Sequence, residues 1–98
     1  MLHIVNKSHL ERSALDACLR IATGGTLLLI EDGVYAALAG TPGEAKLRDA
    51  MARFKVCALA PDLEARGVAD RVMEGVALVD YGGFVDLVAS HPTCQSWL

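Results

Sequence analysis

This chain of 98 residues lacks an excess of basic residues and lacks closely spaced cysteines. The 9 Lys and Arg are outnumbered by 12 Asp and Glu, for a formal net charge of −3, so no excess of positive charge is present to hold nucleic acid. Cys18, Cys57 and Cys94 are odd in number, widely spaced and without a CxxC pair. This pattern argues against a disulfide framework and against a zinc site. We expect no metal and no direct nucleic-acid partner.

Long hydrophobic runs and cofactor motifs are also missing. No apolar run approaches the roughly 20 residues that span a bilayer, and the first residues, MLHIVNKS, lack a basic region followed by an apolar block. The sequence contains no GxGxxG, GxxxxGK[ST] or GxSxG motif, so it offers neither a phosphate-binding loop nor a nucleophile elbow. We predict a cytoplasmic protein with no cofactor and no membrane partner.

Hydrophobic residues, in contrast, make up 53% of the chain. This share is high for a small chain whose surface should be dominated by polar groups. A chain of this length forms one domain, which we place at residues 1–98. The excess of apolar residues predicts contacts with partner subunits.

Short apolar runs alternate with helical patterns along the chain. The apolar runs predict four strands, at residues 2–5, 26–30, 54–59 and 76–79. Helical segments are predicted after the Ser8-x-x-Glu11 capping box up to about Ala22, and at residues 34–38, 44–53, 63–66 and 81–90. Gly24-Gly25 is predicted to stop the first helix. The alternation predicts an α/β fold with three α/β/α layers and a mostly parallel sheet of about four strands.

Acidic residues follow three of the predicted strands, in Glu31-Asp32, Pro61-Asp62 and Asp80-Tyr81. Carboxylates gathered at the carboxyl edge of a sheet can hold Mg²⁺ or serve acid–base chemistry. Aspartate is also a preferred residue at a helix N-cap, and each of these aspartates precedes a predicted helical segment. Capping is the interpretation we favour.

The histidines and tyrosines carry no recognisable catalytic setting. We predict that His3, His9 and His91 are surface or packing residues. Tyr35 and Tyr81 lie near predicted strand ends, where an aromatic side chain either contacts a ligand or, more often, anchors a helix onto the sheet.

The three thiols differ in their predicted surroundings. On a helical wheel Cys18 falls within the apolar side of the first helix, more than two turns from its N-terminus, which favours packing over reactivity. The residues on the same side are Leu10, Ala14 and Ile21, with Leu15 and Ala22 flanking. Cys57 lies in an apolar strand and is predicted to belong to the core. Cys94 lies in a tail that leaves it accessible.

Five segments in order resemble the DsrH/TusB family over almost the whole chain. These segments are LHIVNKS at 2–8, EDGVYAAL at 31–38, DLEARG at 62–67, DYGGFVDL at 80–87 and QSWL at 95–98. The resemblance implies a DsrE-like fold and a place in a heterohexamer, DsrEFH or TusBCD, built from two copies of each of three related chains. The partners implied are DsrE-like and DsrF-like subunits.

The resemblance also implies a chemistry. These complexes hold sulfur as a cysteine persulfide and pass it to a cysteine of an acceptor protein similar to DsrC or TusE. In the Dsr branch the sulfur enters dissimilatory sulfur oxidation, and in the Tus branch it is relayed toward 2-thiouridine in tRNA.

A cysteine in the first helix is typical of DsrH chains and is commonly missing from TusB chains. Cys18 therefore favours the DsrH branch, with the TusB branch as the alternative. The resemblance makes Cys18 a candidate catalytic residue, as an auxiliary persulfide carrier. The main persulfide cysteine of these complexes lies on the DsrE or TusD subunit, so a non-catalytic structural subunit is the competing interpretation.

Overall fold

Five parallel strands form the centre of the protein in a computed structural model that describes residues 1–10 and 13–97. The strands are β1 (Leu2–Val5), β2 (Gly25–Leu29), β3 (Phe54–Leu59), β4 (Ala77–Val79) and β5 (Cys94–Trp97). The α-helices are α1 (Ala14–Ile21), α2 (Pro42–Ala50), α3 (Ala60–Ala65) and α4 (Tyr81–Ser90). Two 3-10 helices, Glu31–Ala37 and Ala69–Arg71, lie in the connections. None of the helices in these ranges is long and apolar enough to cross a membrane.

The strand order is β4-β3-β2-β1-β5. The first four strands spread from β1 toward one edge, and the chain then crosses back to place β5 on the other side of β1. Leu2 pairs with Thr26 of β2 and with Cys94 of β5, so these three side chains share one face of the sheet.

The two faces of the sheet carry unequal numbers of helices. The first face, here called the α1 face, is packed against α1, α2, α3 and the longer 3-10 helix. Its buried side chains include Leu27, Leu29 and Val56 from the strands and Leu15, Leu47 and Leu63 from the helices. The larger part of the hydrophobic core lies on this side.

The opposite face, here called the α4 face, is covered by a single helix of the described part of the chain, α4. Leu2, Leu28 and Cys57 are buried there, and Phe84 and Leu87 of α4 pack against them. Helices on both faces of a parallel sheet confirm the predicted three-layer architecture.

The sheet has five strands where about four were predicted. The additional strand, β5, lies in a segment that the sequence pattern placed in a tail. Its residues Cys94 to Trp97 are mostly polar and exposed, so they lack the apolar run that predicts a buried strand. Pairing with β1 and a hydrogen bond from Trp97 Nε1 to His3 Nδ1 (3.2 Å) hold the segment in the sheet.

The first helix is shorter than predicted. It begins at Ala14. The prediction that Leu10 and Ile21 lie on its apolar side is wrong, because Leu10 precedes the helix and is 73% exposed, and Ile21 is 62% exposed. Ser8 Oγ accepts a hydrogen bond from the Leu10 amide (3.2 Å). The other half of the predicted capping box, Glu11, lies outside the described residues.

The double glycine serves close packing rather than helix termination. The helix already ends at Ile21, and the following Ala22 is extended. Gly25 has φ +117° and lies so close to the backbone of Met1 that a Cβ atom would collide with the Met1 carbonyl. The glycine therefore allows the start of β2 to lie against the N-terminus.

The last helix has an aspartate at its N-cap, as predicted. Asp80 Oδ1 accepts a hydrogen bond from the Gly83 amide (2.7 Å), which satisfies one of the amides at the helix start that have no partner within the helix. This cap matters because α4 is the helix that covers the α4 face.

Replacing Asp80 with alanine should lower the free energy of unfolding by about 1 kcal/mol, the usual cost of losing an N-cap side chain. Asp86→Ala is the matched control, because Asp86 is an exposed acid on the same helix and is not at its N-cap. Urea unfolding followed by circular dichroism measures both variants. An equal decrease in the free energy of unfolding in both variants would show that the Asp80 cap does not stabilise the protein.

Candidate functional site

Cys18 lies on the inner side of α1 and is fully buried in the core of the α1 face. Burial raises the pKa of its thiol to about 11, because the charged thiolate is poorly solvated there. A thiol with this pKa is almost entirely protonated at neutral pH, whereas attack on sulfur requires the thiolate. These surroundings match those predicted for a packing residue.

Arg53 is the cation that opposes this effect. It lies near Cys18, and its charge lowers the thiol pKa, although burial is the larger influence. The guanidinium donates hydrogen bonds to the carbonyls of Ala22 (2.8 Å) and Leu19 (2.9 Å) at the end of α1. Arg53 therefore ties the C-terminal end of the helix that carries Cys18 to the start of β3.

The other two thiols lie where the sequence predicted. Cys57 is buried under α4, and burial raises the pKa of its thiol as well. Cys94 is exposed on β5. The three cysteines are free, so the expectation that the chain has no disulfide framework is consistent with their placement.

Asp62 and Glu31 meet at the carboxyl edge of the sheet. Asp62 Oδ2 accepts a hydrogen bond from the Glu31 amide (2.6 Å), which is the first amide of the longer 3-10 helix. Asp62 itself lies inside α3. Asp62 was predicted to cap the helix that follows it in sequence. It does accept a hydrogen bond from a helix N-terminus, but that helix is the 3-10 helix that begins at Glu31.

Asp32 is held by a cation. Arg66 donates to Asp32 Oδ1 from Nε (3.0 Å) and from Nη2 (2.9 Å), and the hydrogen bond to Asp32 raises the pKa of Arg66. Within residues 1–10 and 13–97, no group of three or more His, Cys, Asp or Glu side chains is placed to hold a metal ion. The acidic residues at this edge are used in capping and pairing, and the magnesium alternative has no support in their geometry.

A cleft of about 340 Å³ opens beside the carboxyl ends of β1 and β2. Its polar lining comes from Ser8, His9, Asp32, Tyr35, Thr41 and Arg71. Both ring nitrogens of His9 are buried without a hydrogen-bond partner among the described residues. Burial and the charge of Lys46 lower the pKa of His9, which favours the neutral ring. A lone histidine in a connection has no distinguishing sequence pattern, so His9 was predicted to be only a surface or packing residue.

The remaining histidines have structural partners. His3 is buried, donates from Nε2 to the Gly24 carbonyl (3.3 Å) and packs edge-on against Phe54. His91 Nε2 lies 3.1 Å from the Thr26 hydroxyl. Both placements agree with the prediction that these histidines are surface or packing residues. Tyr81, in contrast, is 61% exposed, so the prediction that it anchors a helix onto the sheet is wrong.

Solved structures share this architecture. The ychN protein from Escherichia coli superimposes with a TM-score of 0.84 over 98% of this chain and 97% of that chain, at 18% identity. A protein of unknown function from Methanobacterium thermoautotrophicum gives a TM-score of 0.75 over 97% and 95%, at 17% identity. The fold thus belongs to a known class of three-layer α/β proteins with a parallel sheet.

Sequence comparison assigns the family within that class. The family described as DsrH like protein matches residues 7–94. Protein TusB of Pectobacterium parmentieri is 40% identical over 98 residues, covering 99% of this chain and all of the relative. Protein TusB of Escherichia coli K12 is 36% identical over 97 residues with the same coverage. The chain belongs to the DsrH/TusB family.

The burial of Cys18 predicts slow alkylation. At pH 8 a thiol of pKa about 11 is only about one part in a thousand thiolate. Iodoacetamide should therefore modify exposed Cys94 at least about a hundredfold faster than Cys18 in the folded protein. Peptide mass spectrometry over time measures both rates, and denatured protein, in which all thiols are accessible, is the control. Comparable rates in folded protein would contradict the burial of Cys18.

Proposed function

We propose that this chain is a subunit of a sulfur-relay complex, in which persulfide sulfur moves between cysteine thiols of different proteins. The observation that carries the proposal is the match of almost the whole chain to the DsrH/TusB family. The persulfide chemistry is what the resemblance to this family implies. The partners proposed are DsrE-like and DsrF-like chains in a heterohexamer, with a DsrC/TusE-like acceptor. A cytoplasmic location follows from this role.

The role proposed for this chain within the complex is structural. Its helical thiol is buried and protonated, so the reactive persulfide is proposed to lie on a partner subunit. The exposed surface of α4 suits a contact with such a partner, because Tyr81, Val85 and Val88 are apolar and solvent-exposed in the single chain. Contiguous exposed apolar side chains of this kind are typical of subunit interfaces.

A second candidate role makes Cys18 an auxiliary sulfur carrier. The nearby charge of Arg53, which favours the thiolate, is the observation on its side. In this role the Cys18 thiolate attacks the outer sulfur of a donor persulfide, a new S–S bond forms on Cys18, and the donor cysteine leaves as a thiolate. The step would require a local opening that exposes α1, since the thiol is covered in the folded chain.

Two features bear on the branch of the pathway. The name TusB carried by relatives at 36–40% identity favours the relay toward 2-thiouridine in tRNA. The cysteine in the first helix favours the DsrH branch and dissimilatory sulfur oxidation. We propose the tRNA branch, because the matched relatives cover the whole chain, whereas the cysteine is one position. Deleting the gene in the organism that carries it should reduce 2-thiouridine in total tRNA, and an unchanged level would favour the Dsr branch.

Intact-mass analysis of the three-chain complex tests the division of roles. The complex is co-expressed with its DsrE-like and DsrF-like chains and exposed to a persulfide donor, and each subunit is weighed for gains of about 32 Da, the mass of one sulfur atom. We expect the gain on a partner subunit and no change when Cys18 is replaced by serine.

Cys94→Ser is the matched control, because Cys94 is the exposed thiol of this chain and reacts non-specifically if any does. A gain on this chain that survives Cys94→Ser and disappears in Cys18→Ser would establish Cys18 as a carrier. No gain on any subunit of the complex would contradict the sulfur-relay proposal itself.

A further inference from the structure

The edge strand β5 has the features of a self-pairing surface. It is the outermost strand next to β1, and residues 93–96 are exposed. Natural edge strands are usually protected by charges, prolines or bulges that prevent pairing with another chain. Residues 93–97 contain no charge and no proline, and Pro92 lies before the strand.

The direction of the backbone groups can be read from one hydrogen bond. The Leu2 amide donates to the Thr93 carbonyl (3.0 Å), so the carbonyl of Thr93 faces β1. Successive residues of a strand direct their backbone groups to opposite sides. The N–H and C=O groups of Cys94 and Ser96 therefore point away from the sheet. Among residues 1–10 and 13–97, the Ser96 carbonyl accepts only a long side-chain contact, from Gln95 Nε2 (3.4 Å).

These outward groups are complementary to a second copy of the same strand. If two copies of β5 run antiparallel with Gln95 opposite Gln95, Cys94 of each copy lies opposite Ser96 of the other. Both residues then exchange N–H and C=O groups, which makes two hydrogen bonds in each Cys94–Ser96 pair. A two-fold axis normal to the sheet relates the copies, as in closed dimers.

The surface beside β5 favours the same occupant. A groove of about 440 Å³ on the α1 face runs along the strand and is lined in part by Ile21, Gln95 and Trp97. Ile21 is 62% exposed and Met1, also in the groove, is 52% exposed. The two-fold axis places both copies of this groove on the same side of the joined sheet, where each adjoins the other. No charged residue lines the groove among the described residues.

The opposite edge of the sheet lacks this self-complementarity. Strand β4 has three residues and ends directly at Asp80. Antiparallel pairing of two copies around Leu78 would bring Asp80 of each copy beside the start of the other strand, with Glu74 close by in sequence. Carboxylates of like charge close to the paired strands would oppose this pairing.

We propose that β5 joins two copies of this chain by antiparallel edge pairing, with Gln95 at the two-fold axis, to form a continuous sheet of ten strands. The proposal stands apart from sulfur relay, because it concerns the edge of the sheet and uses neither Cys18 nor the partner surface of α4.

Ser96→Pro tests the pairing with little effect on the fold. Proline removes the outward N–H of Ser96, whereas the bonds between β5 and β1 use the groups of the alternate residues, and edge strands accept proline at such positions. Ser96→Ala is the matched control, since it removes the hydroxyl and keeps the N–H. Sedimentation of the purified full chain should show a dimer whose Kd rises at least tenfold in Ser96→Pro and stays within about twofold in Ser96→Ala.

A monomeric wild-type chain at millimolar concentration would overturn the proposal, as would equal Kd values for the two variants. Circular dichroism shows whether Ser96→Pro is folded. If it is not folded, disulfide formation tests the pairing instead. The proposed Gln95–Gln95 pair is a non-hydrogen-bonded antiparallel pair, in which the two Cα atoms lie about 4.5 Å apart, within the range for a disulfide.

In a Cys94→Ser background, Gln95→Cys should then form a covalent homodimer at least tenfold faster than Val85→Cys, an exposed cysteine on α4. The Val85 side chain is 66% exposed and lies on the α4 face, away from the proposed axis. Equal rates of dimer formation would overturn the proposed register.

Discussion

The burial of β2 on both faces is the constraint on which the rest of the structure depends. Leu27, Leu28 and Leu29 are consecutive and completely buried, and consecutive strand residues point to opposite faces. A layer of helices must therefore cover each side. Full burial of a leucine side chain contributes about 1.5–3 kcal/mol, so leaving either face open would forfeit a large share of the stability available to a small domain.

This constraint is met unequally. Four helical segments cover the α1 face, whereas the α4 face depends on one helix whose outer side is apolar. The order of the strands explains the difference, because the connections from β1 to β4 all cross on one face and only the last connection crosses on the other. The helix that closes the core on that face is thus also one that exposes apolar side chains to solvent.

The same packing determines the chemistry of the thiols. Cys18 and Cys57 lie on opposite sides of the sheet, and each is buried beneath a helix, which raises its thiol pKa. A thiol in either place contributes apolar packing, and reactivity requires the covering helix to move. Cys94, in contrast, is exposed on β5 at the edge of the sheet.

Local sequence patterns predict much of this architecture. The apolar runs at β1, β2, β3 and β4, the helix following Asp80 and the burial of Cys18 could be predicted, because each reflects periodicity or capping within a few neighbouring residues. The family could be recognised for a similar reason, since its motifs occur in order along the chain. Partners distant in sequence could not be inferred in this way.

Long-range contacts decided the remainder. Strand β5 forms because its polar segment pairs with β1 and because Trp97 donates a hydrogen bond to His3. Asp62 caps the helix of Glu31, and Asp32 is held by Arg66, across more than thirty residues in each case. The composition of a segment gives its local preference, but pairing with a strand or an ion depends on what the fold places beside it. Tertiary structure therefore determined the fifth strand and the interaction partners of the carboxylates.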